Sequence, residues 1–171
     1  MPRKPVAAAS DNTEHNAAAT PLSVLQRFRV VIRTAQRHSQ WIERQSGVTG
    51  AQLWAMQELL ERPGLRVGEL ANLMALHQST ASNMIDKLES GGILRKERTA
   101  TDQRVVRLYL TDKGEEMLGR APSPARGVLP EALRNMDPQD LERLQADLDH
   151  LLAQIRTMDE GFGMQPMPFT E

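Results

Sequence analysis

The sequence predicts a mainly α protein with one small β-hairpin, and three observations support this. Apolar residues recur at three, four or seven positions through most of the chain between Thr20 and about Met158. The stretch from Ile93 to Leu110 switches to alternation by two. Glycine and proline punctuate these runs, at Pro63-Gly64 and Gly91-Gly92 among others. A period near 3.6 lines up one face of a helix and a period of two lines up one face of a strand, so the change of period marks the change of structure.

At 171 residues and 40% hydrophobic, the chain can form one domain with a sizeable core, or a compact domain with appended helices. Its apolar runs fall far short of the roughly 20 residues needed to span a membrane. The N-terminal residues lack the continuous apolar segment of a secretory signal, so a cytoplasmic protein is expected. The absence of cysteine excludes disulfides, thiolate ligands, cysteine nucleophiles and thiol switches. A formal net charge of -1 gives no general attraction to nucleic acid, so any such case must be local. From Arg95 to Arg107, five basic residues (Arg95, Lys96, Arg98, Arg104 and Arg107) face two acids (Glu97 and Asp102), a local excess of three positive charges.

Residues 1–19 have no sustained apolar period and read as a disordered arm. Thr20-Pro21 then supplies an N-cap followed by proline at the first helical position. Leu25, Phe28, Ile32, Ala35 and Ile42 continue that helix to about Gln45. Thr49-x-x-Gln52 is a capping-box pattern and opens a second helix, whose Leu53, Met56 and Leu60 precede the Pro63-Gly64 stop. Val67, Leu70, Ala71 and Met74 line a short third helix, and Ala75 to Gln78 is a turn.

The next run, HQSTASNMIDKLESGG, places Ala81, Met84, Ile85 and Leu88 on one face. Gln78, Ser79, Thr80, Ser82, Asn83 and Lys87 remain as candidate DNA contacts. Short hydroxyl and amide side chains can donate to phosphates and base edges without holding a helix away from a major groove. A polar face is also what any solvated helix shows, so the order of elements decides. A short helix, a tight turn, a polar-faced helix and a charged hairpin follow one another, which is a winged helix-turn-helix plan. In the hairpin, Val106, Leu108 and Leu110 alternate with Arg107 and Tyr109. At the tip, Asp102 and Arg104 are two residues apart and can point the same way, so the carboxylate can hold the guanidinium out toward a groove.

Thr111-Asp112 starts a further helix through Met117 and Leu118, which Pro122 and Pro124 must break before a segment at Val128 to Asn135. Asp137-Pro138-x-Asp140 starts the last helix, whose stripe of Leu141, Leu144, Leu148, Leu151, Leu152 and Ile155 reaches about Met158. That stripe needs a partner, either the first helix or a second copy of the chain. Residues 161–171, rich in Gly and Pro, read as a flexible tail.

Over about Leu22 to Ile155 the chain resembles the MarR family of bacterial transcriptional regulators. The resemblance rests on Glu69-Leu70-Ala71, Ser79-Thr80, Leu88-Glu89 with Gly92-Ile93-Leu94, Asp102-Gln103-Arg104, and Leu110-Thr111-Asp112-Lys113-Gly114. Asn83, Lys96 and His77 depart from the residues many members carry there. The resemblance implies a winged helix-turn-helix domain at 48–110 and helical dimerisation regions at 20–47 and 111–160. It implies a homodimer that reads a palindromic operator, in many members a repressor released by a small aromatic acid or phenolic compound. Arg33, His38, Trp41 and Trp54 are candidates for that effector pocket, although a tryptophan at helical spacing is more often core than a ligand shelf.

No cofactor or metal is expected, and an enzyme is excluded on residue grounds. The histidines at 15, 38, 77 and 150 are scattered, and no HExxH, phosphate loop or nucleophile elbow is present. A winged-helix interaction scaffold without DNA binding, or a regulator that needs no ligand, are the remaining alternatives. The arginines gathered on one hairpin speak against the scaffold.

Overall fold

A computed structural model describes residues 19–98, 105–156 and 159–170, apart from the side chain of Glu160. The first helix, α1, runs Pro21–Ser46. Thr20 Oγ1 accepts from Ser23 N at 3.1 Å and Ser23 Oγ accepts from Thr20 N at 2.9 Å, a capping box built with serine. Gly47, at φ 72, ends the helix. Only its second half is covered: Ala35, His38, Ser39 and Ile42 are buried, whereas Leu22, Val24, Leu25, Val30, Val31 and Ile32 are exposed.

Helix α2, Gly50–Glu61, opens on the expected Thr49–Gln52 capping box and runs through the core. Helices α3, Val67–Leu73, and α4, Gln78–Ser90, follow. The chain reverses between them at Ala75, whose φ of 50 is the tight turn the sequence required. Strands β1, Leu94–Arg98, and β2, Val106–Leu110, pair antiparallel in the register Leu94↔Leu110, Lys96↔Leu108 and Arg98↔Val106. The other edge of β2 is occupied by a bridge from Leu65 to Leu108. That bridge was not foreseen, because one residue after Pro63-Gly64 leaves no period to read.

Leu53, Met56, Leu59, Leu70, Ile85, Leu88, Leu94 and Leu108 are all essentially inaccessible. Each such side chain contributes about 1.5–3 kcal/mol by leaving water, so the unit formed by α2, α3, α4 and the hairpin carries most of the hydrophobic stabilisation. Helix α5, Asp112–Arg120, is locked onto it by Thr111, whose Oγ1 donates to Gly92 O at 2.8 Å and caps Gly114 N at 3.2 Å. The prolines break the chain as expected before α6, Val128–Arg134.

Helix α7, Pro138–Leu152, starts at Asp137, whose Oδ1 accepts from Gln139 N at 2.9 Å. It ends six residues before the predicted Met158, which lies outside the described residues. Tight bonds from Gln154 N to Leu151 O and from Ile155 N to Leu152 O close its last turn, so Ile155 falls beyond the helix. None of its residues is buried, and Leu141, Leu148, Leu151 and Leu152 face solvent. The segment from Gly161, read from sequence as a tail, contains a 3-10 turn, Glu160–Met164, and is hydrogen-bonded to the body.

Candidate nucleic-acid interface

Helix α4 buries Ala81, Met84, Ile85 and Leu88 and exposes Gln78, Ser79, Asn83 and Lys87. Thr80 and Ser82 are half-buried at the flanks of that polar face. The separation matches the sequence reading. It leaves short donors and acceptors free on a surface held rigid by four apolar anchors.

The hairpin cations have individual surroundings. Arg98 is exposed at the end of β1. Arg95 forms an ion pair with Glu97 and lies 4.9 Å from the ring centroid of Tyr109, its cross-strand neighbour. Arg107 is committed inside the fold, donating to Gly64 O at 2.8 Å. Lys96 Nζ meets Asp86 Oδ1 at 2.5 Å and Glu89 Oε2 at 2.8 Å, and these two hydrogen bonds raise its pKa. Two of the cations expected to face DNA, Lys96 and Arg107, therefore have partners outside the hairpin: one ties β1 to α4, the other ties β2 to the Gly64 turn. Register explains Lys96, since it points to the same face as Leu94 and Leu108. Asp102 and Arg104, the predicted tip pair, lie outside the described residues.

Beside the turn between α3 and α4 opens a groove of about 590 Å³. Its walls come from α1, α2, α6 and the C-terminal segment. Of the four residues proposed for a pocket, the structure brings His38 and Trp54 to this groove and leaves Arg33 and Trp41 outside its lining. Arg33 is exposed on α1, and Trp41, 49% exposed, meets the groove only through an edge-to-face contact with His38 at 5.7 Å. His38 Nε2 lies 3.0 Å from Pro124 O. A carbonyl only accepts, so this ring nitrogen carries the proton.

The polar centre of the groove was not legible in the sequence. Arg126 is buried, donating from Nε to Glu58 Oε1 at 2.6 Å and from its terminal nitrogen to Glu61 Oε2. Trp54 Nε1 donates to the same Glu58 oxygen at 3.0 Å. Burial works against the guanidinium's charge, but hydrogen bonds to Glu61 and Glu58 outweigh it and raise the pKa of Arg126. The Arg126 hydrogen bond, helped by one from Gln57, holds Glu61 below the ordinary glutamate value. Among the described residues no cluster of His, Asp or Glu could hold a metal ion, and no helix is long and apolar enough to cross a membrane.

A helix-turn-helix whose second helix shows a polar outer face, followed by an antiparallel hairpin packed on the same core, defines a winged helix-turn-helix protein. Residues 48–106 match the MarR family. The chain is 28% identical over 121 residues to the HTH-type transcriptional regulator TtmR of Methylorubrum extorquens (strain PA1), an alignment covering 71% of this chain and 60% of that protein. It is also 28% identical over 119 residues to the HTH-type transcriptional repressor MdtR of Bacillus subtilis (strain 168), covering 70% of this chain and 76% of MdtR. Among solved structures, it is similar to Sco3205, a MarR family transcriptional regulator from Streptomyces coelicolor solved in complex with DNA. That match has a TM-score of 0.56 and 22% identity, and covers 80% of this chain and 87% of Sco3205. The likeness to the MarR family is thus carried by residues 48–106, the helix-turn-helix and most of its hairpin. The alignment spans less than two thirds of TtmR, and these relatives are regulators by name rather than enzymes.

Proposed function

We propose that this protein is a cytoplasmic, DNA-binding transcriptional regulator that reads a palindromic operator as a homodimer. The observation that carries the reading is the outer face of α4, where Gln78, Ser79, Asn83 and Lys87 stand free above a fully buried apolar face. In this reading α4 enters a major groove, Ser79, Thr80, Ser82 and Asn83 meet base edges, and Lys87 and Arg98 meet phosphate. The wing tip, with Arg104 steadied by Asp102, reaches the adjacent minor groove. Lys96 and Arg107 contribute by fixing the wing against α4 and the Gly64 turn. Arg95, stacked on Tyr109, is placed as a flanking phosphate contact.

Dimerisation is supported by two unpartnered apolar surfaces: the first half of α1 and the leucines of α7. Isolated exposed leucines are ordinary, but two helices that each expose an apolar stripe are the mark of an interface. A dimer would present two copies of α4 to half-sites about one helical turn, ~34 Å, apart.

The finer reading is a repressor released by a small aromatic acid or phenol bound in the groove between arm and reading unit. His38 and Trp54 supply aromatic walls there. A ligand weakens DNA binding only through its preference for one dimer shape, so a 100-fold loss needs about 2.7 kcal/mol of differential affinity. The test is operator titration over a salt series. Each neutralised phosphate contributes roughly 0.9 log units of affinity per log unit of salt. Arg98→Ala and Arg104→Ala should each weaken binding and flatten that slope, and unchanged slopes for both would remove the wing from the interface.

A further inference from the structure

The segment from Asp159 to Thr170 lies across two helix starts. The first turn of a helix leaves backbone N–H groups without intrahelical partners. At α2, Thr49 caps Gln52, and Ala51 N finds its acceptor in Thr170 O at 3.1 Å. At α4, His77 is the N-cap residue and offers no side-chain cap, yet its own N–H donates to Met164 O at 2.9 Å. One stretch of chain therefore satisfies a donor at the start of the central core helix and another at the start of the DNA-reading helix.

The segment is shaped for this position. Asp159 Oδ1 accepts from Gly161 N at 2.9 Å and starts the 3-10 turn, and Thr170 N returns to Met167 O at 2.8 Å in a second turn. Between them Pro166, Met167 and Phe169 line the same groove as His38 and Trp54. The approach is close at Gly50, where an added Cβ would come within 2.8 Å of Ser39 Oγ and 3.6 Å of Thr170 Cβ. The residues that make this segment look like a tail, two glycines and two prolines, are those that let it turn twice in twelve residues.

We propose that residues 159–170 are an intramolecular strap that occupies part of the groove and competes with any molecule bound there. The proposal builds on the groove assigned above to an effector. An apolar or aromatic ligand that fills the groove past Trp54 displaces Phe169 and Met167. Met164 is carried with them, and the His77 N–H at the head of α4 loses its acceptor. The strap thus gives the groove a physical line to the reading helix that runs through main-chain hydrogen bonds.

A tethered segment acts at an effective concentration in the millimolar range, so even weak docking is well populated. With the strap docked about nine-tenths of the time, a competing ligand's apparent dissociation constant rises about tenfold. The test uses the full chain, a truncation ending at Arg156, and a full-length Met167→Ser/Phe169→Ser variant that guards against misfolding of the truncation. The probe is anilinonaphthalenesulfonate, a flat aromatic anion. Both altered chains should bind the dye about tenfold more tightly, and a synthetic peptide of residues 159–171 should displace it from the truncated chain. Amide exchange at Ala51 and His77 should accelerate about tenfold in both. Neither readout involves DNA, so a failure of operator binding and a failure of strap docking are separately visible. Equal dye affinity in all three proteins, or unchanged exchange at Ala51 and His77, would overturn the strap.

Discussion

Arg126 and Glu58, one in the loop before α6 and the other in the middle of α2, meet at 2.6 Å with side chains 8% and 5% exposed. Together with the bond from Arg126 to Glu61, this pair ties α2 to the segment leading into α6. Removing one partner of a buried pair leaves the other charged and unpaired, which costs about 3–5 kcal/mol. Arg126→Met should therefore lower the urea midpoint sharply, while Arg126→Met combined with Glu58→Gln should recover much of the loss. A single variant as stable as wild type would mean the pair is not closed in solution.

The same cluster sets an acid dependence. Glu61 is held below its ordinary value of 4.5 by hydrogen bonds from Arg126 and then Gln57. A depressed carboxyl stabilises the fold fully above the unfolded value and loses that contribution as pH falls through the folded one. The stability gap between wild type and Glu61→Gln should accordingly be constant from pH 7 down to about 5 and narrow below 4.5. A gap that widened on acidification would contradict the assignment.

Two glycines of α5 predict opposite signs for one substitution. A Cβ on Gly114 would sit 2.2 Å from Ile93 O, a backbone atom that Thr111 N also binds. Gly114→Ala should cost at least about 1–3 kcal/mol, as overpacking does. Gly119 has nothing within 4 Å, so Gly119→Ala should stabilise by roughly 0.5–1 kcal/mol through helix propensity. Thermal midpoints of the two variants, moving in opposite directions, check this.

Exposure of Val31 and Ile32 on α1 and of Leu148 and Leu151 on α7 predicts a dimer that depends on both helices. Leu148→Glu with Leu151→Glu should convert the species seen by light scattering at micromolar concentration from dimer to monomer and lower its melting temperature. A monomeric wild-type chain would refute the interface.

Local signals made most of the fold readable from sequence. The Thr49–Gln52 box, the Pro63-Gly64 and Gly91-Gly92 stops, and the shift of period at Ile93 act over a few residues, and the structure places helix and strand ends within one or two residues of them. The candidate site was readable where it depends on periodicity, as on the outer face of α4. It was not readable where partners are far apart in sequence. Arg126 and Glu58 are 68 residues apart, and nothing in Ser-Pro-Ala-Arg-Gly marks that arginine as buried. Arg33 and Trp41 lie on the expected helix but outside the groove, since composition cannot tell which side of α1 is covered. The strap was missed because glycine and proline mark turns and do not say whether the turns dock.

The most direct test of the central claim is selection of duplex DNA from a random-sequence pool by the wild-type chain, followed by affinity measurement on the enriched sequence. The reading-helix account predicts enrichment of a two-fold symmetric site with half-sites about 10 base pairs apart. It also predicts that Asn83→Ala changes the preferred base at one position per half-site, at about 1–3 kcal/mol. No enrichment over successive rounds, or an Asn83→Ala variant that enriches the same site with unchanged affinity at every base, would contradict the assignment of α4 as the element that reads DNA.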